Sequence, residues 1–248
     1  MRELEGKNAV ITGANRGIGF AIVQKFAENG CNIWACARKK SAVFEEKISD
    51  LAQKNGVIII PVYFDLSNGE DIKNGFKNIY NNKRPIDVLV NTAGVINAEI
   101  FQRINVATMH DVFEINFFGP VQLSQLVLKS MLRYKNGSII NISSIAGLDI
   151  NPTNSIYGSS KAALNSFTKI LASEVATSGI RVNAIAPGPT DTEMIQVVQN
   201  KVGNALLDRC AMGRLARPDE IAETALFLAS EKSSFINGQI LRVDGGAK

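Results

Sequence analysis

Residues 155–161 read SIYGSSK. In a helix, Tyr157 and Lys161 stand one turn apart on the same face. A free phenol has a pKa of about 10, so at neutral pH it is a poor base but a usable acid. An ammonium one turn away favours the phenolate and draws that pKa toward the working range, which would make the phenol a proton donor and acceptor. Tyr and Lys are common, and by itself such a pair is more often surface packing. Its weight depends on Ser144, thirteen positions earlier at the end of the apolar run SIINIS (138–143), whose hydroxyl could polarise a carbonyl and stabilise a developing oxyanion. Ser143 is the neighbouring alternative.

A second cluster lies near the start. TGANRGIG places Gly13, Gly17 and Gly19 between an apolar run and a helical pattern. Gly13 allows a sharp exit from a strand, Gly17 and Gly19 allow close approach of a pyrophosphate, and the helix aims free N–H groups and its positive dipole end at the phosphates. The spacing G-x-x-x-G-x-G differs from the commoner G-x-G-x-x-G. About 20 residues on, an NAD site usually carries an acid for the ribose 2′-hydroxyl. Here ACARKKS offers Arg38, Lys39 and Lys40 instead, and Arg16 adds a cation in the loop. These are charge-assisted partners for a 2′-phosphate, so NADP(H) is the expected cofactor, with a solvated basic turn as the alternative.

Such residues need a frame. Val- and Ile-rich runs at 8–12, 32–37, 57–64, 87–91, 138–143, 181–186 and 239–243 read as strands alternating with amphipathic helical patterns such as GFAIVQKFAENG, closed by Gly30. Several runs are almost continuously apolar, as in a parallel sheet buried on both faces. The pattern predicts an α/β, doubly wound seven-stranded parallel sheet with helices on both faces, a single domain over 1–248. At 248 residues, 46% apolar, the chain can bury one such core.

The +4 charge is dispersed, and the longest basic run, RKK, is too short for a nucleic-acid tail. No apolar stretch reaches the roughly 18 residues of a membrane span, and the N-terminal segment lacks a secretory pattern. Neither nucleic acid nor membrane is expected as a partner. Cys31, Cys36 and Cys210 read as small buried thiols in a reducing cytoplasm, and the single histidine, His110, reads as structural or surface, so no metal is expected.

TGANRGIG, NTAG (91–94), Asn116 in INFFG, NISS (141–144), YGSSK (157–161) and PGPT (187–190), in this order along nearly the whole length, resemble the short-chain dehydrogenase/reductase family. The resemblance implies a catalytic set of Asn116, Ser144, Tyr157 and Lys161, in which the tyrosine protonates a carbonyl oxygen as hydride arrives. The lysine also holds the nicotinamide ribose, and the asparagine carries a water linking the lysine to solvent. It implies cofactor contacts from Gly13, Asn15, Arg16, Gly17, Ile18, Gly19, Arg38, Asp65, Leu66, Asn91, Ala93, Gly94, Tyr157, Lys161, Pro187, Gly188, Thr190 and Thr192. The family's usual NNAG is NTAG here, with Thr92 keeping a polar side chain.

AMGRLARPDEIA (211–222) and INGQILRVDGG (236–246) resemble the bacterial 3-oxoacyl-acyl-carrier-protein reductases, with sugar, polyol and steroid dehydrogenases sharing much of the pattern. This implies an NADPH-dependent carbonyl reductase acting on a small-molecule or acyl-carrier-bound substrate. The alternatives are a sugar, polyol or other secondary-alcohol dehydrogenase and a non-catalytic NADP-binding sensor or scaffold. Those reductases often carry an arginine where this chain has Ser173, while Arg133 and Lys135 lie on another connection. Residues 191–213 would form a substrate lid whose Met194, Ile195, Val197, Val198, Leu206 and Leu207 could favour an apolar chain or be ordinary core. The helix from Tyr157 carries apolar or small residues on more than one side, which suggests a partner on each. By resemblance the assembly is a D2 homotetramer.

Overall fold

The computed structural model describes residues 2–150, 152–196 and 210–247. Seven strands, β1 (Asn8–Ile11), β2 (Asn32–Ala37), β3 (Ile59–Tyr63), β4 (Val88–Asn91), β5 (Gly137–Ile142), β6 (Ile180–Pro187) and β7 (Ile240–Val243), form one parallel sheet in the order β3-β2-β1-β4-β5-β6-β7. The apolar run expected at 57–64 shortens to Ile59–Tyr63, and the one expected at 138–143 shifts by one residue to Gly137–Ile142.

The continuous apolar runs are explained by alternation between two cores. Ile11, Val88, Val90 and Ile140 face one side, packed by α1 (Gly17–Glu28), α2 (Ala42–Asn55) and α7 (Pro218–Ala229). Val10, Leu89, Ile139 and Val182 face the other, packed by α3 (Gly69–Tyr80), α5 (Gly119–Tyr134) and α6 (Ser155–Val175). Each strand therefore buries successive side chains on opposite faces.

Helix ends follow local chemistry. Ser41 and Asn68 cap α2 and α3 by accepting from Phe44 N at 3.4 Å and Glu70 N at 3.0 Å. The Gly30 N–H donates to the Ala27 carbonyl just past α1, where the helical pattern placed its stop. Helix α4 (Val106–Phe113) runs into α5 through a π turn at Glu114–Phe118.

The strand order reverses between β1 and β4. A crevice opens at the carboxyl ends of these strands, the place where doubly wound sheets hold ligands.

Candidate active site

A cleft of about 620 Å³ opens along this carboxyl edge. Its floor begins where β1 meets β4: Thr12 Oγ1 accepts from the N–H groups of Thr92 at 3.0 Å and Ala93 at 3.2 Å. Gly13 turns the chain here with φ +62, and a Cβ on it would stand 3.0 Å from the Ala93 backbone. Gly19 has a different task from the one its spacing suggested. A Cβ there would lie 2.1 Å from the Gly13 carbonyl, so Gly19 is required for the loop to close on itself.

The start of α1 is open to an anion. Its N-cap residue, Arg16, makes no side-chain cap, and the first turn carries no acid, so its leading N–H groups are without a carboxylate. At the end of β2, Arg38, Lys39 and Lys40 are exposed; Lys40 pairs with Glu45 at 3.7 Å. Burial pushes the Asp65 carboxyl up, but donation from Ser67 N at 2.9 Å and Ser67 Oγ at 2.7 Å, with the charges of Arg38 and Lys39, outweighs it and leaves the group below the usual range. Arg16 is engaged by an exposed ion pair with Glu193. A closely packed glycine turn, an uncapped helix start and cations at the end of β2 fit a dinucleotide phosphate chain.

The reacting end is built by β5 and α6. Ser144 follows β5, and its Oγ accepts from Ala146 N at 3.1 Å. Tyr157 and Lys161 occupy the first two turns of α6, 8% and 4% exposed. The Lys161 amine donates to the Ile142 carbonyl at 2.9 Å and lies 6.0 Å from the Tyr157 ring centre. Burial pushes the Tyr157 phenol up, and a hydrogen bond with Ser144 pulls against it. Burial pushes the Lys161 amine down to about 8. The spacing argument assigned the lowering of the phenol to Lys161. Ser144 adds a pull of its own on the phenol, while the ammonium donates to the Ile142 carbonyl at the end of β5.

Of the residues expected at the site, Gly13, Asn15, Arg16, Gly17, Ile18, Gly19, Arg38, Asp65, Leu66, Ala93, Gly94, Ser144, Tyr157, Lys161, Pro187, Gly188, Thr190 and Thr192 line the cleft. Asn91 and Asn116 do not. Asn91 is buried beneath it, donating to Ser124 Oγ at 3.1 Å and Asn141 Oδ1 at 2.9 Å, so its side chain braces the end of β4. Asn116 uses the π turn to face the same segment: its amide accepts from Val95 N and donates to the Val95 carbonyl, both at 2.9 Å, and donates to Ser160 Oγ at 3.1 Å.

Sequence reasoning missed Thr12, Val95, Ser160, Asp149 and Asn154. A threonine at the mouth of an apolar strand was the one available signal; the others depend on contacts between distant segments. Of the expected lid, Met194 and Ile195 line the cleft, whereas Val197, Val198, Leu206 and Leu207 lie outside the described residues. No cluster of metal-ligating side chains occurs among the described residues, and His110 is exposed on α4.

Fold and site together define a dinucleotide-binding oxidoreductase of the doubly wound class. A family model described as enoyl-(acyl carrier protein) reductase matches residues 13–248. The chain is 36% identical to the 3-oxoacyl-[acyl-carrier-protein] reductase of Aquifex aeolicus and 37% identical to that of Chlamydia muridarum, each alignment covering 98% of both chains. Among solved structures, a candidate NAD(P) dependent gluconate 5-dehydrogenase from Beutenbergia cavernae, with bound NADP at low occupancy, superposes with a TM-score of 0.92 at 32% identity, covering 98% of this chain and 97% of its own. A short-chain type dehydrogenase/reductase from Mycobacterium marinum gives a TM-score of 0.92 at 28% identity, covering 98% of this chain and 96% of its own. The chain belongs to the short-chain dehydrogenase/reductase family.

Proposed function

We propose that this chain is an NADPH-dependent ketoreductase that converts a carbonyl to a secondary alcohol, with 3-oxoacyl thioesters carried on acyl carrier protein as its substrates. The observation that carries the reading is that Ser144, Tyr157 and Lys161 line one cleft with the phosphate loop at the carboxyl edge of the sheet. Gly13–Gly19 would hold the phosphates, Arg38 the 2′-phosphate and Lys161 the nicotinamide ribose, and the bound cofactor supplies the hydride. Ser144 Oγ donates to the substrate carbonyl oxygen and stabilises charge developing there. Tyr157 delivers its proton to the same oxygen, which completes the hydroxyl. The Lys161 ammonium favours the phenolate left behind until it is reprotonated.

The substrate class is supported by the acyl-carrier-protein reductases aligned over 98% of the chain and by Val95, Ile96, Ile145, Met194 and Ile195 along the cleft. Arg133 in the last turn of α5 and Lys135 just past it are exposed as cations for an acidic carrier. A second reading, a sugar or polyol dehydrogenase, is favoured by Asp149 and Asn154 in the lining and by the likeness to the gluconate 5-dehydrogenase structure.

The two readings separate in one assay of cofactor oxidation with an acetoacetyl thioester, a panel of keto-sugars, and each cofactor. The thioester should be turned over with NADPH preferred roughly tenfold or more, since each charge-assisted contact is worth about 1.5–3 kcal/mol. Turnover of the sugars alone would replace the first reading with the second. Equal kcat/KM for NADH and NADPH would remove the assigned role of Arg38.

A further inference from the structure

The connection between β5 and α6 carries Ser144 at its start and delivers Tyr157 just past its end. Its first part is well held: Ser143 N donates to the Ile185 carbonyl at 2.7 Å, and Asn165 Nδ2 donates to the Gly147 carbonyl at 3.3 Å. Gly147 lies against the backbone of α6, where a Cβ would come within 2.7 Å of Lys161 C. Further along, Thr153 adopts φ +71, and its carbonyl accepts from Glu99 N at 3.0 Å. Between these anchors, Asp149 is gripped from β7. Arg242 Nη1 and Nη2 donate to its two carboxylate oxygens at 2.7 and 2.8 Å.

The same guanidinium also holds a residue that backs the other wall of the cleft. Arg242 Nε donates to Asp244 Oδ2 at 2.8 Å. Asp244 packs on Gly188, where a Cβ would come within 2.8 Å of Asp244 Cα, and Gly188 N donates to the Val243 carbonyl at 3.0 Å. Gly188 is part of the 187–190 segment of the cleft lining. A planar fork with fixed donor directions suits such a two-sided grip in a way that a flexible ammonium does not.

We infer that Arg242 is a positioning residue: by clamping Asp149 and Asp244 together it sets the Ser144 loop against the 187–190 segment and thereby holds Ser144 in place beside Tyr157 in the cleft. The inference rests on the reading of Ser144 and Tyr157 as the carbonyl-facing pair. Its consequence reaches Tyr157 through Ser144. The Ser144 bond works against burial on the phenol, so a loosened loop leaves burial to act with less opposition and the phenol titrates at higher pH.

The test is Arg242→Gln in the full-length protein, with Asp149→Asn and the double variant beside it. The Tyr157 phenolate is followed by near-ultraviolet absorbance, with Tyr157→Phe as the subtraction control in each background. Expected are an upward move of the Tyr157 titration, a kcat lower by roughly 10–100-fold, and NADPH affinity from fluorescence titration close to wild type. The double variant should lose no more than the worse single, because both changes break one clamp. Arg242→Lys, which keeps the charge but not the fork, should shift the titration less, and it stands in should the glutamine variant fail to fold. An unmoved Tyr157 titration and unchanged kcat in folded variants would overturn the inference. A wild-type protein inactive on every ketone would sink the functional reading alone, since the absorbance titration still reports on the clamp.

Discussion

Tyr157 and Lys161 are both buried, and burial acts on them in opposite directions, raising the phenol and lowering the amine to about 8. Removing only the phenolic oxygen, in Tyr157→Phe, should therefore leave fold and cofactor binding intact while turnover falls by roughly 10²–10⁴-fold. Wild-type-like kcat in the purified variant would contradict the proton-donor role. Lys161 also has a stability consequence. Its folded value of about 8 lies below the ordinary 10.5, so between these values the unfolded chain binds more protons and stability rises with pH. The cost of the buried charge is fully present below about pH 8 and is relieved toward 10.5. Lys161→Met should be inactive yet more stable at pH 7, by roughly 1–2 kcal/mol once the orphaned Ile142 carbonyl is allowed for. Thermal melts across pH 7–10.5 check this, and the gap between variant and wild type should narrow as pH rises. The Tyr–Lys spacing could be read directly because one helical turn converts sequence distance into proximity. The part played by Ser144 on the phenol depends on which way each buried group points, and spacing alone does not carry that.

At the level of elements, strands were legible because burial on both faces leaves almost unbroken Val and Ile runs, and the phosphate loop because its glycines fall between such a run and a helix. The π turn at Glu114–Phe118 left no comparable mark. It exists to bring Asn116 to Val95, and that contact joins segments 21 residues apart through polar atoms rather than through an apolar period. Asn91 carried the right residue type, yet its side chain ties β4 to Ser124 and Asn141 instead of lining the cleft. Gly19→Ala tests the account of the loop. A methyl group 2.1 Å from the Gly13 carbonyl must displace backbone, so both thermal stability and cofactor affinity should fall. Unaltered NADPH affinity in calorimetry would mean that the loop closes in some other way.

For the whole molecule, the features that call for a partner lie at the end of the π turn before α5, on α6, and on the connection leading into β7. Phe118 and Ile170 are 51% and 57% exposed, and Phe235 is fully exposed. Helix α6 buries Leu164, Leu171 and Val175 against the sheet while Ala162, Ser166 and Ile170 face outward. Apolar side chains on a face that the chain itself leaves uncovered suit association between copies. We propose a homotetramer whose activity declines on dilution into the dissociating range, since docking on α6 also restrains Tyr157 and Lys161. Sedimentation of a fully active monomer at micromolar concentration would rule this out.

The clamp on Asp149 has a further consequence in the order in which the chain is made. Ser144, Tyr157 and Lys161 emerge from the ribosome well before their geometry can be locked, because Arg242 follows Asp149 by 93 residues. At roughly 5–20 residues per second, several seconds of synthesis separate the two halves of the clamp. A nascent chain stalled before β7 would thus carry Asp149 without the guanidinium that grips it.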